Sequence, residues 1–121
     1  MLKGKIHRAT VTGANLNYIG SLTLDENLMD AAGFIEYEKV QVLDITNGNR
    51  IETYIIRGKK KSNEVCINGA AAHLIKKDDL VIIVSYCTLS SVEAHNHKPT
   101  IVYVNSLNQV TSTSNKESLM V

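Results

Sequence analysis

The chain has 121 residues, 44% of them hydrophobic, with no Trp and one Phe, which is enough for one domain with an aliphatic core and no need of staples. Thirteen basic against twelve acidic residues leave a formal charge of +1. That balance excludes the marked basic excess of a nucleic-acid or membrane-surface protein, so neither is expected as a partner. Cys66 and Cys87 lie in apolar, strand-like runs without CxxC spacing. The start Met1-Leu2-Lys3-Gly4-Lys5 precedes no apolar leader, and no run approaches membrane-spanning length. Together these features predict buried, reduced thiols in a cytoplasmic protein.

Residues 2–12 read as a strand rich in β-branched and polar side chains, carrying Lys5, His7 and Arg8. Gly13-Ala14-Asn15 then turns the chain into a second strand over 16–25. There the alternation sets Ile19, Ser21 and Thr23 on one face and Tyr18, Leu22 and Leu24 on the other. Asp25 is placed to cap a short helix over Glu26–Ala32, with Leu28, Met29 and Ala32 at helical spacing and Gly33 where the helix must end. Residues 34–37 form a connector. Residues 40–46 alternate as a strand, and Asn47-Gly48 predicts a type I′ hairpin leading into a partner strand over 50–57. The run Lys59-Lys60-Lys61 falls in a solvated turn over 58–63, followed by a strand over 64–67. Residues 69–74 have room for one or two helical turns. Residues 80–88 form a near-continuous apolar strand, the best candidate for the barrel centre. Residues 90–97 read as a loop or single helical turn, and Pro99 opens a strand over 100–105, where its missing N–H is tolerated. Residues 106–121, rich in Ser, Thr and Asn without periodicity, are expected as a mobile tail after a domain spanning 1–105. Several short strands with two or three brief helices predict a small, mostly β barrel.

Four stretches carry candidate chemistry. Gly20-Ser21 interrupts its strand with a residue that lets another group approach the backbone, and the Ser21 hydroxyl could turn back on the Gly20 carbonyl. A bulge with an ordinary strand serine explains the same dipeptide. Arg50 is suited to grip a carboxylate through two parallel hydrogen bonds, or it is a solvated strand charge; Lys5 presents the same choice. Thr53 and Tyr54 are adjacent in a strand, so they point to opposite faces and share one pocket only at a boundary between subunits or at a distorted strand. Asn68-Gly69-Ala70-Ala71 offers a polar side chain and small residues whose N–H groups can approach an anion or a carbonyl, or it packs a helix start tightly on the barrel. Glu93, His95 and His97 match no compact zinc pattern, so no metal is expected, and no nucleophile-elbow motif accompanies Ser21.

Taken in order, 4–12, 18–25, 46–54 and 68–73 resemble the pyruvoyl-dependent aspartate 1-decarboxylases over about residues 2–104. The resemblance implies a six-stranded double-psi β-barrel assembled as a homotetramer with active sites at subunit interfaces. It implies that Ser21 attacks the Gly20 carbonyl, that the bond between them is cut, and that Ser21 becomes a pyruvoyl group forming a Schiff base with substrate. The products are a β fragment, 1–20, and an α fragment, 21–121. The reaction implied is decarboxylation of L-aspartate to β-alanine for pantothenate and coenzyme A synthesis. In that scheme Tyr54 is the proton donor. Thr53, Gly69, Ala70, Ala71, Arg50 and Lys5 bind substrate, Thr53 also polarising the Gly20 carbonyl, with Asn68, His7 and Tyr18 in support. Many relatives carry an acidic residue before the Gly-Ser pair, where this chain has Ile19, and some need a separate maturation protein. A barrel that binds a metabolite or protein without processing itself is the alternative.

Overall fold

The computed structural model describes residues 1–19 and 21–117. Its strands are β1 (Leu2–Thr10), β2 (Gly13–Asn15), β3 (Leu22–Asp25), β4 (Lys39–Asp44), β5 (Arg50–Gly58), β6 (Val65–Asn68), β7 (Leu80–Tyr86), β8 (Thr100–Val104) and β9 (Val110–Ser114). Helices α1 (Glu26–Ala32) and α2 (Ser91–His95) and a 3₁₀ turn over Gly69–His73 complete the regular structure. Hydrogen bonds link the strands in the order β2-β6-β3-β5-β4-β7-β1-β8-β9. β1 with β8, β2 with β6 and β3 with β5 are parallel, so the chain must cross over between them. The interior strand β7 is antiparallel to both its neighbours, β4 and β1.

One continuous cluster of buried side chains takes Ile6 from β1, Leu22 from β3, Val42 from β4, Ile55 from β5, Ile67 from β6, Ile83 from β7 and Val102 from β8. A flat sheet would divide these residues between two faces, so a single cluster means the sheet is curled around one core. The molecule is a small β-barrel, mostly β as its strand pattern predicts. Leu28 and Met29 of α1 belong to the same cluster.

Local signals explain the helices. The Asp25 side chain accepts the Asn27 N–H at 2.8 Å, and Gly33 ends α1 at φ 74°, where a side chain would be strained. Asp25, buried, also accepts from the Lys61 and Asn63 backbone, so one carboxylate ties α1 to the turn before β6. Ser90 and Glu93 form a reciprocal capping box around α2.

Four expectations change. Gly13–Asn15 is a strand parallel to β6, not a turn. Residues 16–19 do not extend β3, which begins only at Leu22; Leu16, Tyr18 and Ile19 are exposed, Ile19 at 91%. Alternation there described side-chain character but found no ladder partner to hold it. The β4–β5 connection is a five-residue loop, 45–49, in which only Gly48 of the Asn47-Gly48 pair has positive φ (82°). The loop is organised by Asp44, whose Oδ1 accepts the Thr46 and Asn47 N–H groups, and this local bonding replaces a type I′ turn. Finally, Val110–Ser114, expected within a mobile tail, pairs antiparallel with β8. The buried Asn108 amide accepts Thr10 N–H at 2.7 Å and donates to the Thr10 and Asn63 carbonyls, pinning the loop that returns the chain. Residues 118–121 of that expected tail lie outside the described residues.

Candidate active site

Ser21 stands immediately before β3 and is 5% exposed, two residues after the fully solvated Ile19. Gly20, the other half of the expected cleavage site, lies outside the described residues. Two neighbouring strands frame Ser21. On one side β3 is antiparallel to β6 with Leu22 opposite Ile67, and the Asn68 N–H donates to the Ser21 carbonyl at 2.8 Å. On the other, β3 is parallel to β5 with Leu22 opposite Ile55, so one step back the chain at Ser21 runs beside Tyr54.

Asn68 is 3% exposed and its side chain is fully engaged on one face of the β3/β6 pair. Its Nδ2 donates to Thr23 Oγ1 at 2.9 Å, and its Oδ1 accepts from the Cys66 thiol at 3.2 Å. Burial, then the Glu64 charge, pushes the Cys66 thiol up from its ordinary pKa, keeping it a protonated donor. Gly69, at φ 65°, turns the chain away from β6 into the 3₁₀ turn that carries Ala70 and Ala71. A cavity of about 360 Å³ opens over this face, lined by Tyr18, Thr23, Arg57, Cys66 and Asn68 among others. Tyr18 and Asn68 are therefore brought together. Thr23 and Cys66 were not anticipated. The available signal was two-residue spacing, since Thr23 follows Ser21 by two and Cys66 precedes Asn68 by two, which in strands means a shared face.

The other candidates lie elsewhere on the chain. Thr53 is half-buried and Tyr54 is 41% exposed, on opposite faces of β5 as the alternation requires. The Tyr54 ring stands 6.4 Å from the exposed Tyr37 ring. Arg50 shares the Tyr54 face but begins the strand, about 13 Å away at the usual rise. Lys5, on β1, is separated from β5 by β7 and β4, about 14 Å at normal strand spacing, and its ammonium meets the Glu117 carboxylate at 3.1 Å. His7 lines a different cavity of about 580 Å³ with Arg8, Thr10 and Tyr103, its ring edge-on to Tyr103 at 5.9 Å. Burial, reinforced by the Lys5 and Arg8 charges, lowers the His7 pKa, so the imidazole is neutral at neutral pH. One chain thus assembles Ser21, Asn68 and Tyr18 beside the β5 segment at Tyr54, and leaves Arg50, Lys5 and His7 apart.

The loop around His95 has structural uses. His95 Nδ1 is 2.6 Å from the Ser91 carbonyl and His97 Nε2 is 2.6 Å from the Leu2 carbonyl, while Glu93 caps α2. The two cysteines are free and half-buried, not wholly buried. Among the described residues no helix is long and apolar enough to cross a membrane.

The aspartate decarboxylase family model matches residues 1–111. An aspartate 1-decarboxylase of Caldicellulosiruptor bescii is 57% identical over 117 residues, covering 97% of this chain and 91% of that protein. One from Clostridium botulinum strain 657 is 56% identical over 117 residues, with 97% and 92% covered, and one from Clostridium beijerinckii is 54% identical over 118 residues, with 98% and 95% covered. A match of this extent, over a barrel that buries Ser21 against Asn68, places the chain in the aspartate decarboxylase family.

Proposed function

We propose that this chain converts L-aspartate to β-alanine and CO₂, using a pyruvoyl group made from its own Ser21 when the Gly20–Ser21 bond is cut. The observation that carries the reading is the environment of Ser21, buried behind an exposed Tyr18-Ile19 segment with its carbonyl held by the Asn68 N–H. The backbone hydrogen bond fixes the residue that would bear the ketone, so the residues fit the group. A pyruvoyl group supplies the electron-accepting ketone that no unmodified side chain offers.

The chain's own residues would do the remainder. Arg50 holds the substrate side-chain carboxylate in a bidentate grip, with Lys5 as a second positive charge. The Tyr54 phenol returns a proton where CO₂ has left. Thr53 and the Gly69–Ala71 backbone position substrate, and Thr53 polarises the Gly20 carbonyl during cleavage. The separation of Arg50 and Lys5 from Ser21 within one chain supports active sites built between copies of the chain, in a homotetramer. The free thiols of Cys66 and Cys87 suit a reducing cytoplasm.

Intact mass under denaturing conditions tests the reading directly. Two fragments dividing between Gly20 and Ser21 are expected, the larger bearing a ketone that hydroxylamine modifies, together with release of β-alanine from aspartate. A single full-length mass after prolonged warming, unchanged by lysate of the native host, would leave a non-processing binding barrel as the better account.

A further inference from the structure

We infer that Thr23 and Cys66 are positioning residues for the Asn68 N–H, which acts on the Ser21 carbonyl oxygen as charge develops there. The inference rests on the reading of function above. Thr23 and Cys66 are cross-strand partners in the β3/β6 ladder, and Asn68 follows Cys66 by two, so the three side chains share one face. Asn68 stands where a helix N-cap residue would, yet its side chain makes no cap bond to the 3₁₀ turn that follows. Asparagine at such a position ordinarily caps. Here both ends of the amide are committed sideways instead, Nδ2 to Thr23 at 2.9 Å and Oδ1 to Cys66 at 3.2 Å. The amide is thereby anchored at the strand's last residue, just before Gly69 leaves the ladder at φ 65°. A strand end followed by such a reversal would otherwise fray, and the bond lost first would be the 2.8 Å contact from Asn68 N–H to Ser21 O.

The chemistry gives that bond a use. Once the Ser21 hydroxyl carries the Gly20 acyl group as an ester, elimination removes the Ser21 Cα proton to water. Its electron pair forms the Cα=Cβ bond, and the Cβ–O bond breaks with its pair leaving on the Gly20 carboxylate. As the proton departs, negative charge spreads onto the Ser21 carbonyl oxygen. A preorganised N–H aimed at that oxygen in a buried site lowers the barrier in the manner of an oxyanion hole. The same oxygen persists beside the ketone after maturation, so the donor serves both stages.

The test compares Thr23→Val, Cys66→Ala and Cys66→Ser with the wild-type chain. Self-cleavage is timed by intact mass, Asn68 amide exchange is followed in the precursor, and kcat and KM are measured per cleaved chain. Thr23→Val and Cys66→Ala are expected to slow cleavage about tenfold and speed Asn68 exchange by a similar factor, the loss of one hydrogen bond's worth of order. They should lower kcat with little change in KM, and Cys66→Ser, which keeps a donor, should restore all three. Wild-type cleavage rates in Thr23→Val and Cys66→Ala would overturn the inference while leaving the decarboxylase reading intact. So would slowed cleavage with unchanged Asn68 exchange, or a loss that Cys66→Ser fails to repair. Absence of cleavage and ketone in the wild-type chain, with host lysate added, would overturn both.

Discussion

The β3/β6 ridge and the outward face of the β4/β5 hairpin lie on the two sides of Ser21, and they are finished to different degrees. On the ridge the Asn68 amide and N–H are bonded within the chain, Ser21 and Asn68 are buried, and Thr23 and Cys66 are half-buried. On the hairpin face Arg50, Glu52 and Tyr54 stand in a row of exposed side chains, and Tyr37 and Tyr86 add exposed aromatic surface nearby. A monomer therefore suffices to hold the residue that would become the cofactor, whereas the groups proposed to recognise a dianionic substrate, Arg50 and Lys5, are kept far apart by one chain. Maturation and turnover should accordingly respond differently to mutation.

The largest expected effect is on the ridge side. Ser21→Ala should abolish both cleavage and ketone, leaving one full-length mass and no turnover. Tyr54→Phe should cleave at the normal rate but lose about a hundredfold or more in kcat, the usual worth of a positioned general acid; failure to cleave would move Tyr54 into maturation. Arg50→Ala should likewise cleave and lose about a hundredfold in kcat/KM for aspartate, since a charge-assisted bidentate contact is removed. Co-expressing Arg50→Ala with Ser21→Ala sharpens the comparison further. If sites are shared between chains, about one quarter of the sites in random mixed oligomers regain both residues, and activity rises well above that of either parent. No recovery would confine the site to one chain.

Smaller effects are expected on stability. Asp25→Ala removes the α1 cap and two further backbone contacts in a buried position, and should cost about 2–3 kcal/mol in denaturant unfolding. At the base of the hairpin, Asp44 is 4% exposed and its Oδ2 has no hydrogen-bond partner, while its carboxyl lies within reach of the Asp79 carboxyl. Burial first, and then Asp79, raises the Asp44 pKa from 3.8 to about 6. The folded state thus holds this proton more tightly than the unfolded chain. The associated stability is fully present below pH 3.8 and is lost as pH rises towards about 6. Asp44→Asn keeps the acceptor for Thr46 and Asn47 and supplies a permanent donor to Asp79. It should flatten the melting temperature between pH 4 and pH 6, the range set by that shift; a profile unchanged by the substitution would mean the pair does not share a proton.

Much of the barrel could be read locally. Asp25 and Gly33 bracket α1 because capping and left-handed backbone are chemical properties of those residues, indifferent to what surrounds them. The strands β4, β5 and β7 alternate or run apolar because each packs against the core on its own. β2 and β9 escaped notice for the opposite reason. Three small or polar residues, and a Val-Thr-Ser-Thr-Ser run that is mostly exposed, carry no apolar stripe, and both exist only because β6 and β8 offer them free backbone groups. The Asn108 clamp is equally silent, since one asparagine among many gives no hint that its amide reaches Thr10 and Asn63.

By itself the sequence determined the mostly β class, the α1 caps, the opposed faces of Thr53 and Tyr54, and the motifs that mark the family. These depend on residue chemistry and on spacing along the chain. Only the tertiary structure decided that β3 begins after Ser21, that Asn68 bonds the Ser21 carbonyl while Thr23 and Cys66 hold its side chain, and that Arg50 and Lys5 lie remote from that centre. Those outcomes depend on which backbone groups find each other across the barrel, and pairing between residues dozens of positions apart leaves no local trace.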